Sequence, residues 1–301
     1  MDVSVIIVNY NTRQMTSECI DSIFDKTDGV TFEIILVDNA SSDGSKEHFE
    51  QDRRITYIYN EENLGFGRAN NVGYSKAQGR NILFLNPDTL LINNAIQILS
   101  TYLDSRSEVG VCGGNLYDEE MQPALSFRRV FPGIKEECFN LLFHIPERVI
   151  WRKAFFFNHT MECVNVTNVS GADLMIKSTV FAEIGGFLPD YFMYYEETDL
   201  CFRVAKYGYR LVSVPQAEIQ HLEGKSFKVA DRETKRLKVS EEGRHCFYRL
   251  NYSRTTHRIA NFIYQLALIF HCIVYCCCNK PYRVRNCQNR LSAIKALNKT
   301  I

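Results

Sequence analysis

The sequence predicts an α/β protein: a mostly parallel sheet flanked by helices, followed by a helical C-terminal extension. Three observations carry this. Short β-branched runs alternate with helix-length segments in the N-terminal part of the chain. Polar and acidic clusters follow the strand runs. Charge is divided: residues 228–301 hold 15 Lys/Arg and 4 Asp/Glu, leaving 20 basic and 31 acidic side chains in residues 1–227 of a chain with zero formal net charge. An apolar content of 46% is enough for a packed core.

Residues 3–8 (VSVIIV) are a continuous apolar run, as expected of a strand covered on both faces. A helix is predicted over 12–26, then strands over 32–37, 55–59 and 81–85, with a fifth over 109–112. Helical segments fit between them at 45–51, 66–78 and 95–103. Strands separated by helices imply a Rossmann-like sheet with right-handed crossovers. Residues 116–169 are aromatic, contain Pro123, Pro132 and Pro146, and read as an irregular acceptor-side region. Regular signals resume at 170–177, followed by a short helix ending at Gly185-Gly186. A helix over 197–207 puts Leu200, Val204 and Tyr207 on one face, and a strand over 210–214 stops before Pro215.

A charged helix begins near Lys228, dividing an α/β domain (1–227) from a basic, apolar extension (228–301). Residues 259–278 carry no formal charge, a length able to span a bilayer. Asn261, Gln265 and His271 weaken a span, and Arg254 and Arg258 before it and Lys280, Arg283 and Arg285 after it fit a helix lying on anionic lipid. A helix packed on the domain or on a second subunit carries equal weight. The expected partner of the basic tail is an anionic membrane surface, not nucleic acid.

Composition excludes several classes. The 11 cysteines are odd in number and lack paired C-x-x-C spacing, against a disulfide framework or a structural zinc site. Reduced thiols and the brevity of the first apolar run point to a cytoplasmic chain, and the basic, apolar tail to the cytoplasmic face of the inner membrane as its expected place. No G-x-G-x-x-G follows the first strand, so a dinucleotide site is not expected.

In parallel sheets, ligands bind beyond the carboxyl ends of the strands. There the chain carries Asn9-Tyr10-Asn11-Thr12, then Asp38-Asn39-Ala40-Ser41-Ser42-Asp43-Gly44, then Asn86-Pro87-Asp88-Thr89. Asp38 ends a buried strand, where a carboxylate can accept a base N–H; the competing role is capping, for which Asp43 is better suited. Residues 63–71 (NLGFGRANN) open a helix, whose first N–H groups can meet phosphate; alone, they read equally as a close-packing glycine turn. Asp173 precedes a buried strand, a place where an aspartate suits a turn. Glu196, Glu197 and Asp199 crowd three carboxylates into four residues, which raises some of their pKa values and suits a general base. The competing reading is an acidic helix start stabilised by the dipole.

Read together, VSVIIVNYNT, VDNASSDGS, NLGFGRANNVG, LNPDT, SGADLMI, GGF, YEETDLCFR and HLEGKS resemble, in order, family-2 glycosyltransferases of the GT-A fold, and rhamnosyltransferase-like members most. The resemblance covers residues 3 to about 226. It implies that Asn9, Tyr10, Asn11 and Asp38 contact the nucleoside, and that Gly65, Arg68 and Asn70 face the donor. Asn86 and Asp88 match an Asp-x-Asp motif that holds Mg²⁺ or Mn²⁺ on the diphosphate, although Asn86 lacks one charge. His221 matches a residue near that metal, Asp173 the donor-sugar and acceptor side. Glu197 matches the catalytic Asp with one extra methylene; Glu196 and Asp199 are its rivals. Lys225 is a further phosphate-facing candidate, and Arg203 either faces phosphate or pairs with the acidic cluster.

The reaction this implies is transfer of a sugar, with inversion, from a dTDP- or UDP-sugar to a glycan or lipid-linked oligosaccharide in surface polysaccharide synthesis. Two rivals are a non-catalytic sugar-nucleotide-binding GT-A module and a nucleotidyltransferase. The latter needs a basic, glycine-rich loop after the first strand, which Asn9-Tyr10-Asn11-Thr12 is not.

Overall fold

A computed structural model describes residues 1–222 and 230–297. Along the chain run β1 (Val3–Asn9), α1 (Arg13–Lys26), β2 (Phe32–Asp38), α2 (Ser45–Phe49), β3 (Thr56–Tyr59), α3 (Phe66–Tyr74), β4 (Asn81–Leu85) and β5 (Thr89–Leu91). Then come α4 (Ala95–Asp104), β6 (Val109–Tyr117), β7 (Phe127–Arg128), α5 (Ile134–Leu141), α6 (Ile145–Ile150), β8 (Val164–Val166), β9 (Asn168–Val169), β10 (Asp173–Lys177) and α7 (Ser178–Glu183). The chain continues with α8 (Glu196–Lys206), β11 (Arg210–His221), α9 (Ala230–Asn251), α10 (Arg254–Cys277) and α11 (Pro281–Leu297).

The chain divides into two compact units, one of residues 1–129, 153–192 and 196–226, the other of 130–152, 193–195 and 227–301. In the first, a nine-stranded sheet has the order β3-β2-β1-β4-β10-β6-β11-β5, with β8 paired to β11. The β3-β2-β1-β4 portion is parallel, as the alternation of strands and helices predicts. β1 is buried throughout, which explains its unbroken apolar run. Val3, Val5 and Ile7 point into a core shared with Ile20 and Ile23 of α1 and Ile96 and Leu99 of α4. Ile6 points the other way, towards Gly73 of α3, as strand alternation requires.

Three features depart from the sequence expectation. β10 enters antiparallel between β4 and β6. β6 extends to Tyr117, beyond the predicted stop at residue 112. β11 runs through Pro215 to His221, because the proline falls in an irregularity between Ser213 and Glu218 where no ladder bond is needed.

The second unit is helical and has a polar interior. Arg244 donates to Glu137 (2.5 Å) and to Asn261 Oδ1 (2.7 Å), and Tyr248 donates to the same Glu137 oxygen (2.9 Å). The Tyr252 hydroxyl donates to the Pro132 carbonyl (2.6 Å). These bonds draw residues 130–152 out of the region read as acceptor-side and into the C-terminal unit. The predicted boundary at 227/228 and Lys225 lie outside the described residues.

Candidate active site

The site begins at the carboxyl edge of the parallel strands. Register pairs Asn9 with Asp38, and both are buried. Asp38 accepts from Ser41 N (2.8 Å), the Tyr57 hydroxyl (3.0 Å) and Asn9 Nδ2 (3.4 Å). Asn9 Oδ1 accepts from the hydroxyls of Thr12 (2.8 Å) and Thr16 (3.0 Å). Both side chains therefore brace the loops that follow β1 and β2. Tyr10 and Asn11 are exposed there. Asn11 adopts a left-handed φ of 55°, which asparagine tolerates, and its Oδ1 accepts from Ser42 N (2.7 Å). Asp43 accepts from the backbone N–H of Arg13 (2.9 Å) and Ser45 (3.2 Å), the first residues of α1 and α2. Burial opposes its charge, but the bonds from Ser45 and Arg13 prevail and hold its carboxyl below the ordinary value.

The segment before α3 is a turn built on close approach. Gly65 has φ 80°, and a Cβ there would lie 2.1 Å from the Phe192 carbonyl oxygen. Asn39 ties the β2 loop to this turn: its Oδ1 accepts from Leu64 N (3.1 Å) and its Nδ2 donates to Asn63 Oδ1 (2.9 Å). Asn70 is buried and donates to the Phe66 carbonyl (3.1 Å) of its own helix. Arg68 differs: it is half-buried, and its Nε keeps a donor without a partner among the described residues.

A second group forms where β4 ends. Asn86 N donates to the Ala172 carbonyl (3.0 Å), joining this loop to the Ser170–Asp173 turn. The antiparallel pairing of β5 with β11 sets His221 opposite Thr89. His221 Nε2 then lies 3.3 Å from Asp88 Oδ1 and 3.3 Å from Asn86 Nδ2. Asp173 is fully buried; its Oδ2 accepts from Gly114 N (2.6 Å), and its Oδ1 has no partner among the described residues. Burial pushes its carboxyl up to about 7, offset in part by the Gly114 bond and the charge of His221.

The third group opens α8, directly after Tyr194 and Tyr195, whose φ values of 68° and 70° are strained for residues with side chains. Glu197 is half-buried, accepts from the Thr198 hydroxyl (3.1 Å), and packs within 3.5 Å of where a Cβ on Gly171 would stand. It is therefore a neighbour of the turn that holds Asn86. Glu196 is 5% exposed and its Oε2 has no partner among the described residues. Burial raises both carboxyls; the neighbouring Glu197 raises Glu196 further, while the Thr198 bond and Arg128 hold Glu197 back. Burial and the charge of Glu197 thus disfavour the charged form of Glu196, while the Thr198 bond and Arg128 favour that of Glu197.

Asp199 stands apart from this chemistry. It accepts from Arg203 Nε (2.7 Å) and the Tyr191 hydroxyl (3.2 Å), and Arg203 in turn caps the carbonyls of Ile184 and Gly186. Arg203 pairs with the acidic cluster, one of the two roles expected of it. Asn39, Asn63, Tyr57, Gly114 and Arg128 were not singled out from the sequence. Asn39 and Asn63 lie inside the quoted motifs, but their amide pairing spans two loops and leaves no local signal.

The profile of glycosyl transferase family 2 matches residues 4–185. Agl10, a low-salt glycan biosynthesis hexosyltransferase of Haloferax volcanii, is 29% identical over 209 residues, 68% of this chain and 62% of that protein. The chain thus spans less than two thirds of that relative's length. The rhamnosyltransferase WbbL of Escherichia coli is 24% identical over 229 residues, 73% of this chain and 83% of WbbL. The mannosyltransferase PcManGT of Pyrobaculum calidifontis, solved with GDP-Man and Mn²⁺, superposes with a TM-score of 0.59 at 17% identity over 98% of this chain and 75% of that one. GalNAc-T7, solved with UDP, GalNAc and Mn²⁺, gives 0.60 at 17% identity over 82% and 50%. These likenesses show a shared GT-A fold. With the profile match spanning most of the sheet, the chain belongs to glycosyl transferase family 2.

Proposed function

We propose that the chain transfers a sugar from a nucleotide-diphosphate donor to a hydroxyl of a glycan or lipid-linked acceptor, with inversion at the anomeric carbon. The observation that carries this is the meeting of Asn86, Asp88 and His221 beside a turn that also touches Glu197. One group suits a diphosphate, the other an acceptor hydroxyl.

Tyr10 and Asn11 contact the nucleoside from the edge that Asn9 and Asp38 brace. Arg68 offers its unused N–H to a phosphate oxygen. The mixed carboxylate, amide and imidazole set at Asp88, Asn86 and His221 fits a divalent cation such as Mn²⁺ or Mg²⁺. When bound, that ion supplies positive charge for the departing diphosphate.

Glu197 takes the proton of the acceptor hydroxyl. The acceptor oxygen forms its bond to the anomeric carbon as the bond to the diphosphate oxygen breaks, and the nucleoside diphosphate leaves with that electron pair. One displacement inverts configuration. Asp173 Oδ1, buried and unpartnered among the described residues, orients a hydroxyl of the donor sugar.

Rhamnose carried on dTDP is the donor favoured by the sequence resemblance and by the name of WbbL; a UDP-sugar is the alternative. A lipid-linked acceptor at the cytoplasmic face of the membrane, in surface polysaccharide synthesis, suits the basic, apolar tail. Calorimetry of the full chain with dTDP-rhamnose and a panel of UDP- and GDP-sugars, with and without Mn²⁺, tests the proposal. Metal-enhanced binding of one donor is expected; no binding of any donor at any metal concentration would sink it.

A further inference from the structure

α10 buries several polar side chains on one face and exposes a stripe of large apolar ones on the other. His257, Asn261, Tyr264 and His271 are buried on one face. The Tyr264 hydroxyl donates to Glu241 (2.8 Å) and accepts from Arg290 (3.1 Å), and Arg290 also pairs with Glu241. On the opposite face Ile259 (44%), Phe262 (63%), Leu266 (42%), Ile269 (48%), Phe270 (45%) and Ile273 (59%) are exposed. At helical spacing these six fall within an arc of roughly 100° and run for about 21 Å.

The charge around this stripe has one sign. From Asn251 to Ile301 the chain has eight Lys/Arg and no Asp/Glu. Arg254 and Arg258 are exposed at one end of the stripe, and Lys280, Arg283 and Arg285 beyond the other. An apolar stripe bracketed by cations complements an acidic phospholipid surface. A second copy meeting this face about a two-fold axis would set cation against cation, with no Asp or Glu in residues 251–301 to offset them.

By length and composition alone, α10 could cross a bilayer. Its packing argues otherwise. Tyr264, near the helix midpoint, sits on the Glu241–Arg290 pair, and Tyr264 and Leu268 cluster with Cys287 and Ile294 of α11. A crossing helix would carry that ion pair and the basic α11 into the hydrocarbon.

We infer that α10 is an in-plane anchor, lying along an acidic phospholipid surface with its apolar stripe down and its basic flanks on the headgroups. The inference rests on the membrane-held acceptor proposed above and names the surface and the helix that meets it.

The test is sedimentation of the full chain with sealed vesicles of phosphatidylcholine alone or mixed with phosphatidylglycerol. Binding should require phosphatidylglycerol and weaken with salt. The double substitution Phe262→Asp, Ile273→Asp should weaken it at least about tenfold, with circular dichroism and donor hydrolysis unchanged. An impermeant maleimide added outside should still label Cys276 and Cys278, which lie off the stripe. Failure of the parent chain to bind acidic vesicles would overturn the inference. So would protection of both thiols, which means a crossing helix, or a substitution that splits a dimer while vesicle binding persists. Because donor hydrolysis is read on the soluble chain, loss of vesicle binding alone leaves the transferase proposal standing. Absent hydrolysis with binding intact sinks that proposal and spares the anchor.

Discussion

His221 Nε2 stands 3.3 Å from Asp88 Oδ1, and the three-residue pairing of β5 with β11 brings them together. Asp88 immediately precedes β5 and His221 ends β11. Replacing His221 by Ala should weaken Mn²⁺-dependent binding of a nucleoside diphosphate by roughly 10–100-fold, while metal-free binding changes little. Calorimetry with UDP or dTDP, with and without Mn²⁺, reads this directly; equal metal-dependent affinity in parent and variant would remove His221 from the ion's shell.

Glu196 and Glu197 should part company under isosteric substitution. Glu197→Gln should lower kcat by about 10²–10⁴-fold, and Glu196→Gln by less than about tenfold, because burial already disfavours the charged form of Glu196. Burial raises the Glu197 carboxyl, so turnover should climb with pH through an inflection above the ordinary glutamate value of 4.5. An inflection at or below that value would place the titrating base elsewhere.

Asp173 predicts a stability profile opposite to that of most carboxylates. Its folded pKa of about 7 exceeds the ordinary 3.8, so the folded state binds its proton more tightly than the unfolded chain does. The stabilisation is complete below the unfolded value and is lost as pH rises through the folded one. Asp173→Asn should remove up to roughly 3 kcal/mol of this decline between about pH 5 and about pH 8. Urea unfolding at the two pH values gives the slope; an unchanged slope would mean that Asp173 is ionised throughout. The same variant should lose donor turnover, as expected where a buried polar group serves activity at the expense of stability.

Gly65→Ala tests the turn before α3. The φ of 80° and the 2.1 Å approach to the Phe192 carbonyl leave no room for a methyl group. A loss of at least about 2 kcal/mol is expected in thermal unfolding. An unaltered Tm would show that the two backbones separate freely.

Much of this arrangement was legible in the residues themselves. The runs at 3–8, 32–37 and 81–85 are apolar over strand length because those strands are covered on both faces, and they appear as β1, β2 and β4. Helical spacing of Leu200, Val204 and Tyr207 announced α8 in the same way. Asp88, His221, Asp173 and Glu197 were all named from motif order. Asn9, Asp38, Asn70 and Asp199 were named too, yet their side chains are bound to their own loops or helices, or to Arg203.

Local order in a chain depends on neighbours a few residues away, so periodicity and turn chemistry can be read from the sequence alone. The antiparallel entry of β10, the β5–β11 pairing and the return of residues 130–152 to the C-terminal helices depend on contacts between distant segments. So do the raised carboxyls of Asp173 and Glu196, because the loss of water that raises them exists only after the sheet and helices have closed around them.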